Sequence, residues 1–176
     1  MMSRYSPSVV VLASVAIATW LPGGAAVRRP SRPVSWSTLP VFFHGANHSG
    51  PWSNAAVAQI ARFPMANMEK DPGPHTQSAE VGGPLGCRQI RGRNTSTDAF
   101  FYLNSVIDWP FNFKLHALMA ANPSWRLKNT SGGDIVGLGQ WLYNLTNDAM
   151  RAAWVAECVT AAVAGCTGCF IDQANV

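Results

Sequence analysis

The chain has 176 residues, a formal net charge of +4 and 48% hydrophobic residues, and these values exclude several classes of protein. Charged residues make up 12%, about half of the share in an average soluble domain, which excludes a charge-rich disordered chain and a long coiled coil. The 15 glycines and 12 prolines follow no period, which excludes collagen. Because the charge is small and no basic stripe runs along a predicted helix, we expect no nucleic-acid partner.

The first 26 residues have the three-part pattern of a secretory signal peptide. Arg4 supplies the positive charge, the run Val9–Leu21 is apolar and uncharged, and Gly24 and Ala26 are small residues of the kind that a signal peptidase requires. The apolar run is short for a membrane-spanning helix, which needs about 20 residues. We therefore predict a protein that is secreted or lies in the endomembrane lumen, with no stable membrane insertion after cleavage. An uncleaved anchor is the alternative.

The rest of the chain is predicted to be a linker followed by one folded domain. Residues 27–37 are the linker, because Pro30 and Pro33 oppose a helix and arginine and serine dominate the remaining positions. Residues 38–176 are the domain, which has the size of one structural unit.

If the chain is secreted, two further features predict covalent modifications. Asn-X-Ser/Thr sequons make four residues candidates for N-glycosylation: Asn47, Asn94, Asn129 and Asn144. Four cysteines are candidates for disulfide bonds, with three possible connectivities: Cys87, Cys158, Cys166 and Cys169. The last two have the spacing of a redox pair, but such a pair normally opens a helix, and this one follows a predicted helix. We expect structural disulfides or buried thiols rather than a redox or zinc site.

The predicted elements alternate between strands and helices along the chain. Four apolar runs are predicted to be strands: residues 39–44, 63–69, 99–104 and 167–172. Three segments with helical periodicity are predicted to be helices: residues 54–62, 114–121 and 147–164. Ser53 or Asn54 is expected to cap the N-terminus of the first helix. Asn147 or Asp148 is expected to cap the N-terminus of the last helix, and Gly165 is expected to end it. Residues 87–93 are expected to be a short helical segment, and residues 71–84 and 125–140 are expected to be loops.

This alternation is typical of parallel strands with helices on the faces of the sheet, and two folds fit it: a doubly wound sheet and a (β/α)8 barrel. No glycine-rich phosphate loop follows the first strand, which argues against a dinucleotide site. Polar residues instead end the predicted strands: His44, Glu69, Lys70, Asn104 and Asp172. In β/α barrels this edge carries the active site. The ordinary polarity of strand ends is the alternative explanation.

The alternation of side chains along a strand assigns these residues to a common face. One set is expected to point inward: Phe42, His44, Asn67, Glu69, Tyr102, Asn104, Phe170 and Asp172. The other set is mostly apolar and is expected to face the helices: Val41, Phe43, Met68, Leu103, Cys169 and Ile171.

Four stretches together resemble a known family: residues 40–53 (PVFFHGANHSGPWS), 60–65 (IARFPM) with Glu69-Lys70, 101–110 (FYLNSVIDWP) and 168–172 (GCFID). The family consists of secreted, uncharacterised proteins classed as glycoside hydrolases, which are predicted TIM barrels distantly like endo-α-1,4-polygalactosaminidase-type enzymes. The resemblance extends roughly from Trp36 to Asn175. It implies a TIM barrel, an extracellular location and a carbohydrate substrate, but it does not identify the sugar.

The sequence departs from the family pattern in two places. The region Gln77–Gly86 is irregular where a regular start of a helix is expected, and the chain ends after the fourth strand, whereas a (β/α)8 barrel needs about 250 residues. We therefore expect an α/β fold that is the N-terminal half, about the first four strands, of a (β/α)8 TIM barrel, in a fragment. A genuine half barrel that dimerises is the alternative.

Glycoside hydrolysis uses two carboxyl groups across the scissile bond. Asp172 and Glu69 end predicted strands, so they are the candidate catalytic pair, with Asp172 as nucleophile or general base and Glu69 as acid. A structural turn cap at Asp172 and an ion pair at Glu69 are the alternatives. Five residues are candidates for substrate binding through hydrogen bonds or ring stacking: His44, Asn104, Asp108, Trp52 and Trp109. A structural role is the alternative for three of them, as a hydrogen-bonded strand-end histidine at His44 and as loop packing at Trp52 and Trp109.

The function that we predict is a secreted glycoside hydrolase, incomplete at its C-terminus and enzymatic if full length, with a carbohydrate as substrate or ligand. Two alternatives stay open: a non-catalytic secreted carbohydrate-binding or interaction protein, and a non-functional truncated product. No cofactor and no metal are expected, because the chain shows no acidic cluster and no paired cysteine–histidine set. A serine hydrolase is disfavoured, because no Gly-X-Ser-X-Gly elbow occurs.

Overall fold

The computed structural model of the chain describes residues 41–47, 49–70 and 78–173. The predicted signal peptide and linker lie outside these residues, as do the first two positions of the first predicted strand. The described elements are β1 (Phe43–Gly45), α1 (Asn54–Ile60), β2 (Met65–Met68), α2 (Ala79–Arg93), β3 (Asp98–Asn104), α3 (Phe113–Ala121), a 3-10 turn (Pro123–Trp125), β4 (Val136–Gly137), β5 (Gln140–Trp141), α4 (Asp148–Val163) and β6 (Gly168–Asp172).

The main sheet is parallel, and its strands lie side by side in chain order, β1-β2-β3-β6. The register places His44 beside Asn67 and Asn104 beside Asp172. A separate antiparallel hairpin joins β4 to β5. Each connection between neighbouring parallel strands contains at least one helix, so the α/β class is confirmed.

The described helices form one layer, the helix layer, against one face of the sheet. Helix α2 contacts α1, α3 and α4, and it packs on β2 and β3. Met68, Phe101 and Leu103 of the sheet belong to one buried cluster with apolar side chains of the helices, including Ile90, Leu115, Met119 and Met150. Phe43 and Cys169 pack against this cluster. Four of the side chains predicted to face the helices therefore do so: Phe43, Met68, Leu103 and Cys169. No helix of the described ranges is both long and apolar enough to span a membrane.

The ends of the helices follow local chemistry. The Ser53 hydroxyl accepts a hydrogen bond from the Ala56 N–H at the start of α1. The Asn147 side chain accepts one from the Met150 N–H at the start of α4. Both side chains satisfy backbone donors that the first turn leaves without a helical partner. Gly165 follows α4 with a φ of +119°, a conformation that glycine adopts without strain.

Helix α2 is the largest departure from the predicted elements. Residues 79–84 were expected to be part of a loop, but they are helical, and Pro84 lies inside the helix. The missing N–H of proline removes one intrahelical hydrogen bond. Packing offsets this cost, because the backbone at Gly83 and Gly86 lies directly against the Phe101 and Met68 side chains. The two glycines, which make the sequence look irregular for a helix, therefore allow α2 to pack closely against the sheet.

Two disulfide bonds resolve the connectivity that the sequence left open. Cys87 of α2 pairs with Cys166, and Cys158 of α4 pairs with Cys169 of β6. The first bond closes a loop with a sequence separation of 79 residues. A crosslink over that distance stabilises a fold by on the order of 4 kcal/mol in the chain-entropy account. One bond ties β6 to α4, the other ties the segment just before β6 to α2, and both are consistent with an oxidising compartment.

Candidate functional site

The face of the parallel sheet opposite the helix layer is concave. In a flat sheet, the edge strands β1 and β6 would lie three strand spacings apart, about 14 Å. The ring centroids of Phe42 and Phe170 are nevertheless 6.3 Å apart, and those of His44 and Phe170 are 5.5 Å apart. Side chains from the two edges therefore meet over the middle of the sheet, and from this we infer that the sheet curves toward them. We call this surface the concave face; it carries Phe42, His44, Asn67, Glu69, Tyr102, Asn104, Phe170 and Asp172.

The side chains of the concave face pack against one another. The Tyr102 ring stacks on Phe170 with a centroid distance of 6.4 Å and an interplanar angle of 22°. Tyr102 is 2% exposed, and Asn67 and Asn104 are each 1% exposed. Phe42 remains 40% exposed at the rim. The face thus combines a buried polar floor with partly exposed aromatic rings.

Asp172 is held at the carboxyl end of β6 by two donors on β3. Its Oδ2 atom accepts hydrogen bonds from the Tyr102 hydroxyl at 2.6 Å and from the Asn104 Nδ2 at 3.2 Å. Ser105 donates from its backbone N–H and its hydroxyl to the Asp172 carbonyl. The Oδ1 atom accepts no hydrogen bond from the described residues. One carboxylate oxygen is therefore fixed by β3, and the other is bound by no described residue.

Asn104 is oriented from both ends of its carboxamide. Its Oδ1 accepts hydrogen bonds from the N–H groups of Val106 and Ile107, at 2.8 Å and 2.7 Å, in the turn after β3. Its Nδ2 donates to Asp172. Because reversing the amide would break all these bonds, Asn104 always presents a donor to Asp172.

Glu69 has a partner for each oxygen. Its Oε2 contacts the Nε2 of His44, and its Oε1 lies 2.5 Å from the Lys70 ammonium. On the other side of the imidazole, the Asn67 Nδ2 lies 2.8 Å from the His44 Nδ1. The neutral tautomer with its proton on Nε2 satisfies both contacts of His44. The ion pair that the sequence left as an alternative for Glu69 is therefore present, with Lys70 as the cation.

A continuous network joins Glu69 to Asp172 across the concave face. The Lys70 ammonium, bound to Glu69, lies 4.9 Å from the centroid of the Tyr102 ring. Tyr102 in turn donates to Asp172. Burial raises the pKa of the Tyr102 phenol far above its usual value of 10.0, and the hydrogen bond to Asp172 adds to this effect. Tyr102 thus stays protonated and remains a donor at neutral pH.

Asp108 lies in a second polar cluster, which faces α3. It is fully buried, and its Oδ2 lies 2.7 Å from the Nδ1 of His116. Burial raises the pKa of Asp108 above its usual value of 3.8, while the hydrogen bond with His116 acts in the opposite direction. Trp141 stacks on the His116 ring at a centroid distance of 5.3 Å, and the Arg126 guanidinium lies 3.7 Å from the Trp141 ring. These contacts attach the hairpin of β4 and β5 to α3.

The two tryptophans predicted to stack on sugar lie among other side chains. Trp52 packs against the buried cluster, and both its backbone N–H and its carbonyl are hydrogen bonded to the Gln89 side chain. Trp109 stacks on Phe111 at a centroid distance of 5.8 Å. The structure therefore brings together four of the predicted site residues on the concave face, His44, Glu69, Asn104 and Asp172, and places Trp52 against the helix layer.

Three residues of the network were not predicted to be site residues: Asn67, Lys70 and Tyr102. The alternation of side chains along β2 and β3 did contain a signal for two of them, because it put Asn67 and Tyr102 in phase with Asn104. Within the ranges that the structure describes, no group of three or more His, Cys, Asp or Glu side chains is placed to hold a metal ion.

No protein-family model matches the chain, and no curated protein matches it significantly in sequence.

Proposed function

We propose that the chain is part of a secreted glycoside hydrolase of the (β/α)8 barrel type, and that its substrate binds on the concave face. The observation that carries this proposal is the convergence of Glu69 and Asp172, with His44 and Asn104, at the carboxyl edge of one curved parallel sheet. In barrels of this type the carboxyl ends of the strands carry the active site.

Three features of the architecture support a barrel. The strands follow one another in chain order, the helix layer covers the convex side, and the edges of the sheet curve toward each other. A doubly wound sheet, the other fold that the sequence allowed, reverses its strand order at a switch point and carries helices on both faces. The described part of the sheet has neither feature.

Each carboxylate has a role in this proposal. Asp172 acts as nucleophile or general base through Oδ1, the oxygen that Tyr102 and Asn104 leave available. Glu69, whose Oε2 contacts His44, acts as the acid: its carboxyl has to carry a proton in the substrate complex, and it passes that proton to the leaving oxygen. The partly exposed rings of Phe42 and Phe170 offer apolar surfaces of the kind on which sugar rings stack.

The test is hydrolysis of a panel of polysaccharides of galactosamine, glucose, galactose and mannose, measured as new reducing ends. The wild type is expected to hydrolyse at least one, and Asp172→Asn is expected to lower the rate by about 100-fold or more. Asp148→Asn is the matched control, since its side chain is 89% exposed on α4, and it should retain the wild-type rate. Wild-type activity in Asp172→Asn would remove Asp172 from the reaction.

A non-catalytic carbohydrate-binding protein is the second candidate, and one observation favours it. His44 and Lys70 already contact both oxygens of Glu69, so neither oxygen is free of a protein partner when a leaving group approaches. A binding protein would release no reducing ends from any of these glycans. It would instead bind one of them saturably, and Phe170→Ala, which removes the ring at the centre of the concave face, would weaken that binding.

The secretory location is part of the same proposal. Two disulfide bonds support it, because such bonds persist in oxidising compartments. The resemblance of the sequence to a secreted family, the apolar N-terminal run and the four sequons point in the same direction.

A further inference from the structure

The four sequons differ in what their asparagine side chains do in the fold. The carboxamide Nδ2 is the atom that receives a glycan. In three sequons this atom donates a hydrogen bond to a backbone carbonyl: Asn47 to Pro51 at 3.0 Å, Asn94 to Ala61 at 2.8 Å, and Asn144 to Ser124 at 3.2 Å. The bonds of Asn94 and Asn144 connect segments 33 and 20 residues apart in sequence. These asparagines therefore support the tertiary structure.

Asn129 shares with the other three an Oδ1 that accepts a backbone N–H two residues on, and it differs from them at Nδ2. Its Oδ1 accepts hydrogen bonds from the N–H groups of Ser131 and Gly133, at 3.0 Å and 2.9 Å. Its Nδ2 donates no hydrogen bond to a described residue. All five residues of the turn, 129–133, are exposed. The oxygen side of the carboxamide is thus bound to the turn, and its nitrogen side is left available.

The turn that carries Asn129 is itself held in place. The Asn129 N–H bonds the Gly133 carbonyl at 2.9 Å, and Gly132 adopts a φ of +83° that closes the turn. At the base of the turn, Asp134 forms ion pairs with Lys128 and with Arg126. The neighbouring cations, Lys128 first, lower the pKa of Asp134 below its usual value. The sequon is therefore presented on an ordered, projecting tip.

We infer that Asn129 is the principal N-glycosylation site of the folded protein. This inference rests on the secretory location proposed above. In the transfer, Asn129 Nδ2 forms a bond to C1 of the first sugar of a lipid-linked oligosaccharide diphosphate. The bond from C1 to the diphosphate oxygen breaks, the lipid diphosphate leaves, and Nδ2 loses one of its two protons.

The geometry explains why the other three sites are disfavoured. A glycan replaces one hydrogen of Nδ2 and places a sugar ring beside the other. At Asn94, the bond to Ala61 would then depend on the remaining hydrogen, with the sugar packed against the same carbonyl at the end of α1. At Asn129 no bond is lost, and the sugar extends into solvent. Chains modified at Asn129 therefore fold without a penalty.

The experiment expresses the full chain in a eukaryotic secretory cell behind an added, established signal peptide, so that delivery does not depend on its own N-terminus. Occupancy of each sequon is measured on the secreted, disulfide-bonded protein by mass spectrometry of its peptides after enzymatic removal of the glycans. Ser131→Ala destroys the sequon and leaves Asn129 unchanged, and Thr146→Ala does the same at Asn144.

We expect Asn129 to be occupied in most molecules and more often than any other sequon. Ser131→Ala should remove most of the glycan mass, and Thr146→Ala should remove little. Secreted protein with Asn129 unoccupied, or with another sequon occupied more often, would overturn the inference. The proposed secretory location is tested separately, by expressing the chain with its own N-terminus and measuring whether it reaches the medium.

Discussion

At the residue scale, the concave face shows how buried polar groups acquire an orientation. Tyr102 and Asn104 are almost fully buried, and each finds a partner in Asp172 on the neighbouring strand. A buried donor without a partner would cost about 1–3 kcal/mol, so these bonds hold both side chains in one position. The position of the Asp172 carboxylate is therefore determined by β3 as much as by its own strand.

Sequence reasoning identified the right face of the strands but not the pairing between residues. The phase of alternation along a strand is a local property, and it placed His44, Asn104 and Asp172 together. Whether Glu69 would meet a cation, and which one, depends on side-chain positions that alternation does not define. The burial of Asp108 could not be predicted from the sequence either, because it depends on how α3 and Trp141 pack around the loop.

Asp108 provides a prediction on the pH dependence of stability. Its folded pKa lies above the usual value of 3.8, with burial as the main cause. A raised carboxyl pKa contributes stability that is fully present below 3.8 and is lost as the pH rises through the folded value. The free energy of unfolding of the wild type relative to Asp108→Asn should thus be most favourable in acid and decline toward neutral pH. Each unit of raised pKa corresponds to about 1.4 kcal/mol of this decline.

The measurement is urea unfolding of both proteins from acid to neutral pH. A second comparison, between His116→Gln and the double variant with Asp108→Asn, removes the contact that opposes burial. The decline should then extend to a higher pH. A difference that is constant, or that grows as the pH rises, would show that burial does not dominate at Asp108.

At the scale of the elements, α2 shows packing overriding local propensity. Glycine and proline disfavour a helix interior by about 1 and 3 kcal/mol relative to alanine, which is why a loop was predicted over its first turns. Tertiary packing offsets this cost, because Phe101 of β3 and Met68 of β2 lie against the helix backbone. The other helices, in which pattern and propensity agree, were predicted to within two residues at their ends.

Two glycines of α2 make a matched pair of variants. A Cβ atom at Gly83 would lie 2.5 Å from the Phe101 Cδ2, whereas nothing lies within 4 Å of one at Gly92. Gly83→Ala should therefore destabilise the protein by about 1–3 kcal/mol through overpacking. Gly92→Ala should stabilise it by roughly 0.5 kcal/mol, because alanine loses less backbone entropy in a helix.

Thermal or urea unfolding of the two variants checks this pair. If both substitutions stabilised the protein, Gly83 would not be packed against the sheet. The close approach of α2 to Phe101 would then be contradicted.

At the scale of the whole molecule, neither the curvature of the sheet nor the pairing of the cysteines could be predicted from the sequence. Four cysteines allow three connectivities, and only the folded positions of α2, α4 and β6 select one. The order of elements favoured parallel strands, but it did not show that side chains from β1 and β6 would meet. Because these side chains meet, the polar residues at the strand ends lie on one shared surface.

The central claim is that this concave face binds carbohydrate, and nuclear magnetic resonance tests it most directly. Isotope-labelled wild-type protein is titrated with oligosaccharides of galactosamine, glucose, galactose and mannose. We predict saturable shifts in the side-chain amides of Asn67 and Asn104 and in the backbone of Phe170, with Gln59 and Val163 on the helix layer unchanged. Shifts confined to the helix layer, or no saturable shift with any of these sugars, would contradict the account.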